Sequence, residues 1–289
     1  MTMPGPDRVH ELMAFAGELA EAARAAILPH FRTSMTVDAK DAPGGVPGRV
    51  PGDASATAGA RTGVFDPVTE ADRGAERAMR ALIEARYPDH GIVGEEYGEK
   101  PSRDGCGWTL DPVDGTRAFI SGLPLWGTLI AFTVDGRPLI GVIDQGFLDE
   151  RYVGGPDGSF VTARGVTRPL AARTCGHLKD ATIATTDPFL FDGAEVGGFE
   201  MVRRAARLAR YGCDCYAYAM LADGRIDLVI ESGLKPWDVQ ALIPVIEGAG
   251  GMVTNWRGGP AWGGGQVIAS GDAAPHAQAL VALKRAAHV

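Results

Sequence analysis

Two β-rich apolar runs, TLIAFTV and PLIGVID, lie between Trp126 and Val153 with only Asp135, Gly136 and Arg137 between them. Runs of this composition joined by so short a glycine-bearing link read as a β-hairpin. Helical spacing precedes it. From Val9 to Ile27 the apolar residues Leu12, Phe15, Ala16, Leu19, Ala22, Ala23 and Ala26 line one face of a helix. From Thr69 to Ala85 a second stripe runs through Ala71, Ala75, Ala78, Met79, Leu82 and Ile83, with Thr69 placed to cap it and Asp72 in its first turn.

The second half alternates. A strand is expected near Ala181 to Ala184, helices over Gly198 to Arg210 and Asp214 to Asp223, and a strand at Ile226 to Ile230. A helix from Pro236 to Gly248 follows, with Pro236 in its first turn and Gly250 and Gly251 at its exit, then short strands near Met252 and Gln266 and a last helix from Ala273 to Ala287. The pattern divides the chain into an α+β half, residues 1–155, and an α/β half, residues 156–289. Lys40 to Gly63, built of Gly, Pro, Ala and small polar residues, reads as a flexible insertion with little to bury.

At 289 residues, 45% hydrophobic and 22% charged, the chain has ordinary globular composition. A net charge of -8 argues against general affinity for nucleic acid or anionic membrane, both of which need excess Lys and Arg. No run of eighteen apolar residues and no secretory leader pattern occurs, so a cytoplasmic protein is expected. The four cysteines are too sparse for a disulfide framework and read as thiols, and the six histidines form no close pair, so none is assigned to a metal.

The acidic residues carry the chemistry. In WTLDPVDGTRAF the apolar WTL delivers Asp111 to a strand end, Pro112 is expected to stop further ladder pairing, and Asp114 turns back towards Asp111. Clustered carboxylates suit a hard divalent cation, and the Val113 carbonyl between them is a further candidate ligand. Residues Arg117 to Ile120 can begin a helix whose free N–H groups face the same place, an arrangement that binds phosphate. In GIVGEE one acidic residue should turn inward: Glu95 is expected as a ligand and Glu96 as a solvated turn residue. Asp238 falls in the first turn of a helix, where plain capping is the competing reading.

DPVTEAD (Asp66 to Asp72), GEE (Gly94 to Glu96), DPVDGT (Asp111 to Thr116) and WDVQA (Trp237 to Ala241), in this order and spacing, resemble the motifs of the inositol monophosphatase family. The resemblance spans nearly the whole chain apart from the insertion. It implies a layered α-β-α-β-α sandwich and two or three Mg²⁺ ions held by Glu95, Asp111, the Val113 carbonyl, Asp114 and Asp238. It also implies in-line attack of water on a phosphate monoester without a phosphoenzyme, with Glu95 and Thr116 activating that water and Asp72 supporting them. A homodimer is expected by resemblance alone.

Gly115, Thr116 and Asp238 are expected to bind substrate, and Glu231 matches the family position that contacts substrate hydroxyls. Asp214 stands where inositol phosphatases carry a small neutral residue, so a cationic substrate is favoured, with helix capping as the bland alternative. The strings DPVDGTRAFISGLPLWGTLIAF, CDCYAY and GLKPWDVQALIPVIEGAGG look like the histidinol-phosphatase branch. L-Histidinol phosphate, with its ammonium and imidazole, is the expected substrate, as a step of histidine biosynthesis. The alternatives are an inositol-1-monophosphatase, a broad sugar phosphatase, or a partner protein of RNA polymerase.

Overall fold

The structure, a computed structural model, describes residues 3–33, 37–40 and 66–288. The expected insertion lies outside the described residues except for Lys40, as does the side chain of Thr69. After α1 (Pro6–Ile27), β1 (Val37–Lys40) pairs antiparallel with β2 (Asp66–Thr69), which leads into α2 (Glu70–Arg86). Next come β3 (Gly91–Gly94), β4 (Gly98–Lys100), β5 (Cys106–Asp114), α3 (Thr116–Ile120), β6 (Gly127–Val134), β7 (Arg137–Gln145), β8 (Glu150–Gly155), β9 (Gly158–Ala163) and β10 (Val166–Pro169). The remainder is β11 (Thr182–Thr185), α4 (Ala194–Ala205), β12 (Leu208–Tyr211), α5 (Asp214–Ala222), β13 (Leu228–Leu234), α6 (Pro236–Val239), α7 (Leu242–Gly248), β14 (Met252–Asn255), β15 (Gly265–Ser270) and α8 (Ala273–Leu283).

These elements stack as the expected α-β-α-β-α sandwich. α1 and α2 cover one face of an eight-stranded sheet of order β10-β9-β8-β7-β6-β5-β3-β4. α5, α6 and α7 fill the space between that sheet and a five-stranded one of order β12-β11-β13-β15-β14, whose outer face carries α4 and α8. The hairpin β6–β7 turns at Asp135 and Gly136, both with positive φ, as a two-residue turn between right-twisted strands requires. Every residue of β6 is buried, because helices lie on both faces of the sheet there; this is why TLIAFTV lacks polar alternation.

One polar network crosses a layer boundary. Asp144 of β7 is completely buried and accepts hydrogen bonds from Arg24 Nε of α1 (2.5 Å) and Arg151 Nε of β8 (2.6 Å). Arg24 also donates to Asp149 and Arg151 to Glu21, so both guanidinium groups are tied at two points.

Two expected helices differ. The one expected over Gly198 to Arg210 ends at Ala205, and Leu208–Tyr211 instead extends the sheet parallel to β11. Helical spacing continues there, but the ladder with β11 outweighs it. The helix expected from Pro236 to Gly248 breaks into α6 and α7 at Gln240 and Ala241. Pro244 has no N–H for the Gln240 carbonyl, so the i→i−4 ladder fails at that point. The Gln240 side chain uses the break: its Oε1 accepts from Thr109 Oγ1 (2.6 Å) and its Nε2 donates to the Trp262 carbonyl (2.9 Å), pinning the helix pair to β5.

Candidate metal and phosphate site

The site is built on a bulge in β5. Its ladder with β6 runs from Cys106 to Asp111, skips Pro112 and Val113, and resumes with Asp114 opposite Gly127. Pro112 therefore does not end the pairing, as expected from sequence, but interrupts it, as a residue with no N–H does. The Pro112 carbonyl, displaced from the ladder, accepts a hydrogen bond from Thr128 Oγ1 (2.7 Å). The Val113 carbonyl accepts from Thr116 Oγ1 (3.1 Å), which keeps one of its two lone pairs available.

Three elements aim at the bulge. Asp114 Oδ2 accepts from the Cys215 N–H at the start of α5 (2.7 Å), drawing that helix end onto β5. Asp238 in α6 caps its own helix, accepting the Lys235 N–H (2.7 Å). A ligand oxygen of Asp238 also lies within 4.8 Å of those of Asp111 and Asp114, so capping and clustering coexist. Asp72, buried in the first turn of α2, and Glu95, just after β3, both bear electrostatically on Asp111. Glu96 departs from the expectation: its side chain is 3% exposed and sits 3.8 Å from Arg73, so it is no solvated turn residue.

Burial, then the charge of Glu95, holds the Asp111 carboxyl well above the usual carboxylate range, and burial with Asp214 and Asp238 does the same to Asp114. Asp111 Oδ1 is buried without a hydrogen-bond partner among the described residues. Crowded, desolvated carboxylates that repel one another, with an unused oxygen on Asp111, are what a hard divalent ion such as Mg²⁺ fits, since it takes oxygen ligands and cancels the repulsion.

Asp214 is the first residue of α5, at φ 44°, and its side chain accepts no capping hydrogen bond among the described residues. Its carboxyl lies against Gly115: a Cβ at position 115 would stand 3.1 Å from Asp214 Cβ and 3.0 Å from the Leu125 carbonyl, and Gly115 itself has φ 83°. Burial pushes the Asp214 carboxyl up to about 6, against the pull of Arg117. Arg117 in turn sits 3.6 Å from Asp187. Glu231, 3% exposed on β13, accepts from the Thr186 N–H (2.7 Å) and Thr186 Oγ1 (3.0 Å) at Oε1 and from Thr185 Oγ1 (3.1 Å) at Oε2. One acceptor position, on Oε2, remains. Sequence reasoning missed Tyr218, one turn along α5 from Asp214, whose buried hydroxyl has no partner among the described residues.

A second group, His90, Asp104 and Cys106, also has its ligand atoms within 4.8 Å. It does not suit a metal. Trp108 Nε1, a donor only, bonds His90 Nδ1 (3.0 Å), so the neutral ring carries its proton on Nε2, which faces Asp104 at 3.6 Å. Burial also pushes the Cys106 thiol up, away from the thiolate a metal needs.

Comparison with known proteins decides the family. The sequence profile described as "Inositol monophosphatase family" matches residues 8–288. The chain belongs to the inositol monophosphatase family. Members of this family are Mg²⁺-dependent phosphatases, which agrees with the donor set of the carboxylate cluster. The chain is 44% identical over 229 residues to "Bifunctional phosphatase IMPL2, chloroplastic" of Arabidopsis thaliana, covering 75% of this chain and 65% of that protein's length. It is 38% identical over 194 residues to the histidinol-phosphatase of Chlorobaculum parvum, covering 66% of this chain and 73% of the relative. Among solved structures, an inositol monophosphatase from Zymomonas mobilis superposes with TM-score 0.78 at 39% identity, over 95% of this chain and 98% of that one. Relatives of lower identity bear the names histidinol-phosphatase, Nus factor SuhB and inositol-1-monophosphatase. No described helix is long and apolar enough to cross a membrane.

Proposed function

We propose that the chain is a Mg²⁺-dependent histidinol-phosphatase, converting L-histidinol phosphate and water to L-histidinol and phosphate in histidine biosynthesis. The observation that carries the substrate choice is Asp214, a carboxylate packed against Gly115 at the edge of the carboxylate cluster. An ammonium group gains a charge-assisted hydrogen bond there, whereas a neutral polyol forces a desolvated carboxylate to remain without a cation. The match to the Chlorobaculum parvum histidinol-phosphatase supports the same choice.

Glu95, Asp111, the Val113 carbonyl, Asp114 and Asp238 would hold the ions. Bound divalent cations supply two things here: they lower the pKa of water and neutralise the phosphate charge that repels a nucleophile. The chain's residues do the rest. Thr116 Oγ1, anchored on the Val113 carbonyl, and Glu95 orient the attacking water, with Asp72 behind them. The N–H groups of Gly115 and Thr116, which lack intrahelical acceptors at the start of α3, donate to phosphate oxygens. Glu231, held by Thr185 and Thr186, presents its remaining hydrogen-bonding position to the polar end of the substrate.

The test is phosphate release with Mg²⁺ from L-histidinol phosphate, inositol-1-phosphate, fructose-1,6-bisphosphate and adenosine 3',5'-bisphosphate, with EDTA as a control. Preference for histidinol phosphate supports the proposal. Preference for inositol-1-phosphate keeps the phosphatase and rejects the substrate.

A further inference from the structure

Glu76 was not among the residues singled out from the sequence, because it sits inside the apolar stripe of α2 between Ala75 and Met79. It is completely buried, with relative exposure 0%. Its Oε2 accepts the Glu96 N–H (2.7 Å), and its Oε1 accepts the Tyr97 N–H (3.2 Å) and Arg80 Nε (2.7 Å). Arg80 also donates to the Gly98 carbonyl. A single buried carboxylate thus gathers successive N–H groups of the turn after β3, and its own counterion holds the far end of that turn.

Gly94 has a matching role. A Cβ at that position would fall inside the van der Waals envelope of the Glu76 carboxylate and of Arg80 Nη2, so the glycine is what lets the carboxylate reach the backbone. The residue between Gly94 and Glu96 is Glu95. Its position along the chain is fixed on both sides by the same side chain: by the Gly94 contact before it and by the Glu96 and Tyr97 bonds after it. Its own N–H is tied to the Leu110 carbonyl of β5 (3.3 Å), next to Asp111.

We propose that Glu76, with Arg80 as its counterion, is a positioning residue for the metal site: it sets the turn that presents the Glu95 carboxylate to the cation. This rests on the reading of Glu95 as a metal ligand. A buried carboxylate costs free energy unless it is fully bonded, and here the bonding capacity is spent on the ligand-bearing turn. Groups that orient metal ligands in this way change metal affinity by about 10- to 100-fold when lost.

The test uses the full chain and the variants Glu76→Gln, Gly94→Ala, Glu95→Gln and Asp144→Asn. Glutamine must turn its NH₂ group towards at least one donor, so it loses a bond without losing volume. Asp144→Asn is the control for a buried, Arg-paired carboxylate outside the site. Mg²⁺ dependence of phosphate release and direct Mn²⁺ binding by calorimetry are both measured. The expected result for Glu76→Gln is metal binding weakened about tenfold or more by calorimetry, the same rise in the Mg²⁺ concentration for half activity, and kcat restored at saturating Mg²⁺. Gly94→Ala moves in the same direction, and Asp144→Asn leaves metal binding unchanged. Unchanged Mn²⁺ binding in Glu76→Gln, with weakened binding in Glu95→Gln, overturns the proposal while keeping the ligand reading. Equal weakening in Asp144→Asn overturns it as a mere stability effect. Unchanged binding in Glu95→Gln removes the ligand reading and this proposal with it.

Discussion

Glu231 ties the stability of the metal-free protein to pH. Burial pushes its carboxyl up to about 8 in spite of the bonds from Thr186 and Thr185, whereas in the unfolded chain it titrates near 4.5. The folded state therefore keeps a proton that the unfolded state gives up. Stability falls as pH rises between those two values, because the unfolded chain gains from ionisation that the folded one resists. Between pH 5 and pH 8 the linkage relation gives a loss of about 3 kcal/mol from this one group. Glu231→Gln removes it cleanly. The amide oxygen accepts the Thr186 N–H and hydroxyl, and the NH₂ group donates to Thr185 Oγ1, which accepts as readily as it donates. Urea unfolding of both proteins in EDTA at pH 5, 6, 7 and 8 reads the effect. The wild type should lose about 3 kcal/mol relative to the variant across that range, with the difference opening steadily. Curves that stay parallel would falsify the assignment, since a carboxyl that ionises normally in its threonine cradle has no such linkage.

Asp111→Asn should lower Mg²⁺-dependent phosphate release by roughly 100-fold or more while raising the urea midpoint of the metal-free protein, because a buried repelled carboxylate becomes neutral. A lower midpoint would mean that its charge is compensated within the protein. Asp214→Ala should reduce the kcat/KM ratio of histidinol phosphate to inositol-1-phosphate by about tenfold or more, the worth of one charge-assisted bond of about 1.4 kcal/mol; an unchanged ratio rejects the pocket assignment. Asp144→Ala removes the buried partner that Arg24 and Arg151 share, leaving each only its exposed carboxylate, Asp149 or Glu21, and should cost about 3 kcal/mol in urea unfolding, the low end for breaking a buried pair. A loss below about 1 kcal/mol would show that the pair behaves as an exposed one.

What the sequence made legible was local. The hairpin, the α1 and α2 stripes and the acidic turns each announce themselves within a few residues, because the periodicity or turn chemistry that forms them is short-ranged. The carboxylate cluster was legible for the same reason: Asp111, Asp114 and Asp238 each sit at a bulge or a helix start that their own neighbours create. The misreadings fall where a distant partner decides. Leu208–Tyr211 leaves helical spacing because β11 offers it a ladder, and Glu96 leaves solvent because α2 lies beside it. Glu76 is the sharpest case. On its own helix it is a charged interruption of an apolar stripe, which local reasoning reads as a surface position. Only the turn after β3, some twenty residues on, supplies the N–H groups that make its burial tolerable. The same contact explains why Gly94 precedes the two glutamates, a glycine that strand and turn propensities leave unaccounted for. A buried charge whose own helix supplies one counterion but leaves its other acceptor positions open thus points to a backbone segment elsewhere that must be held, and here that segment carries Glu95.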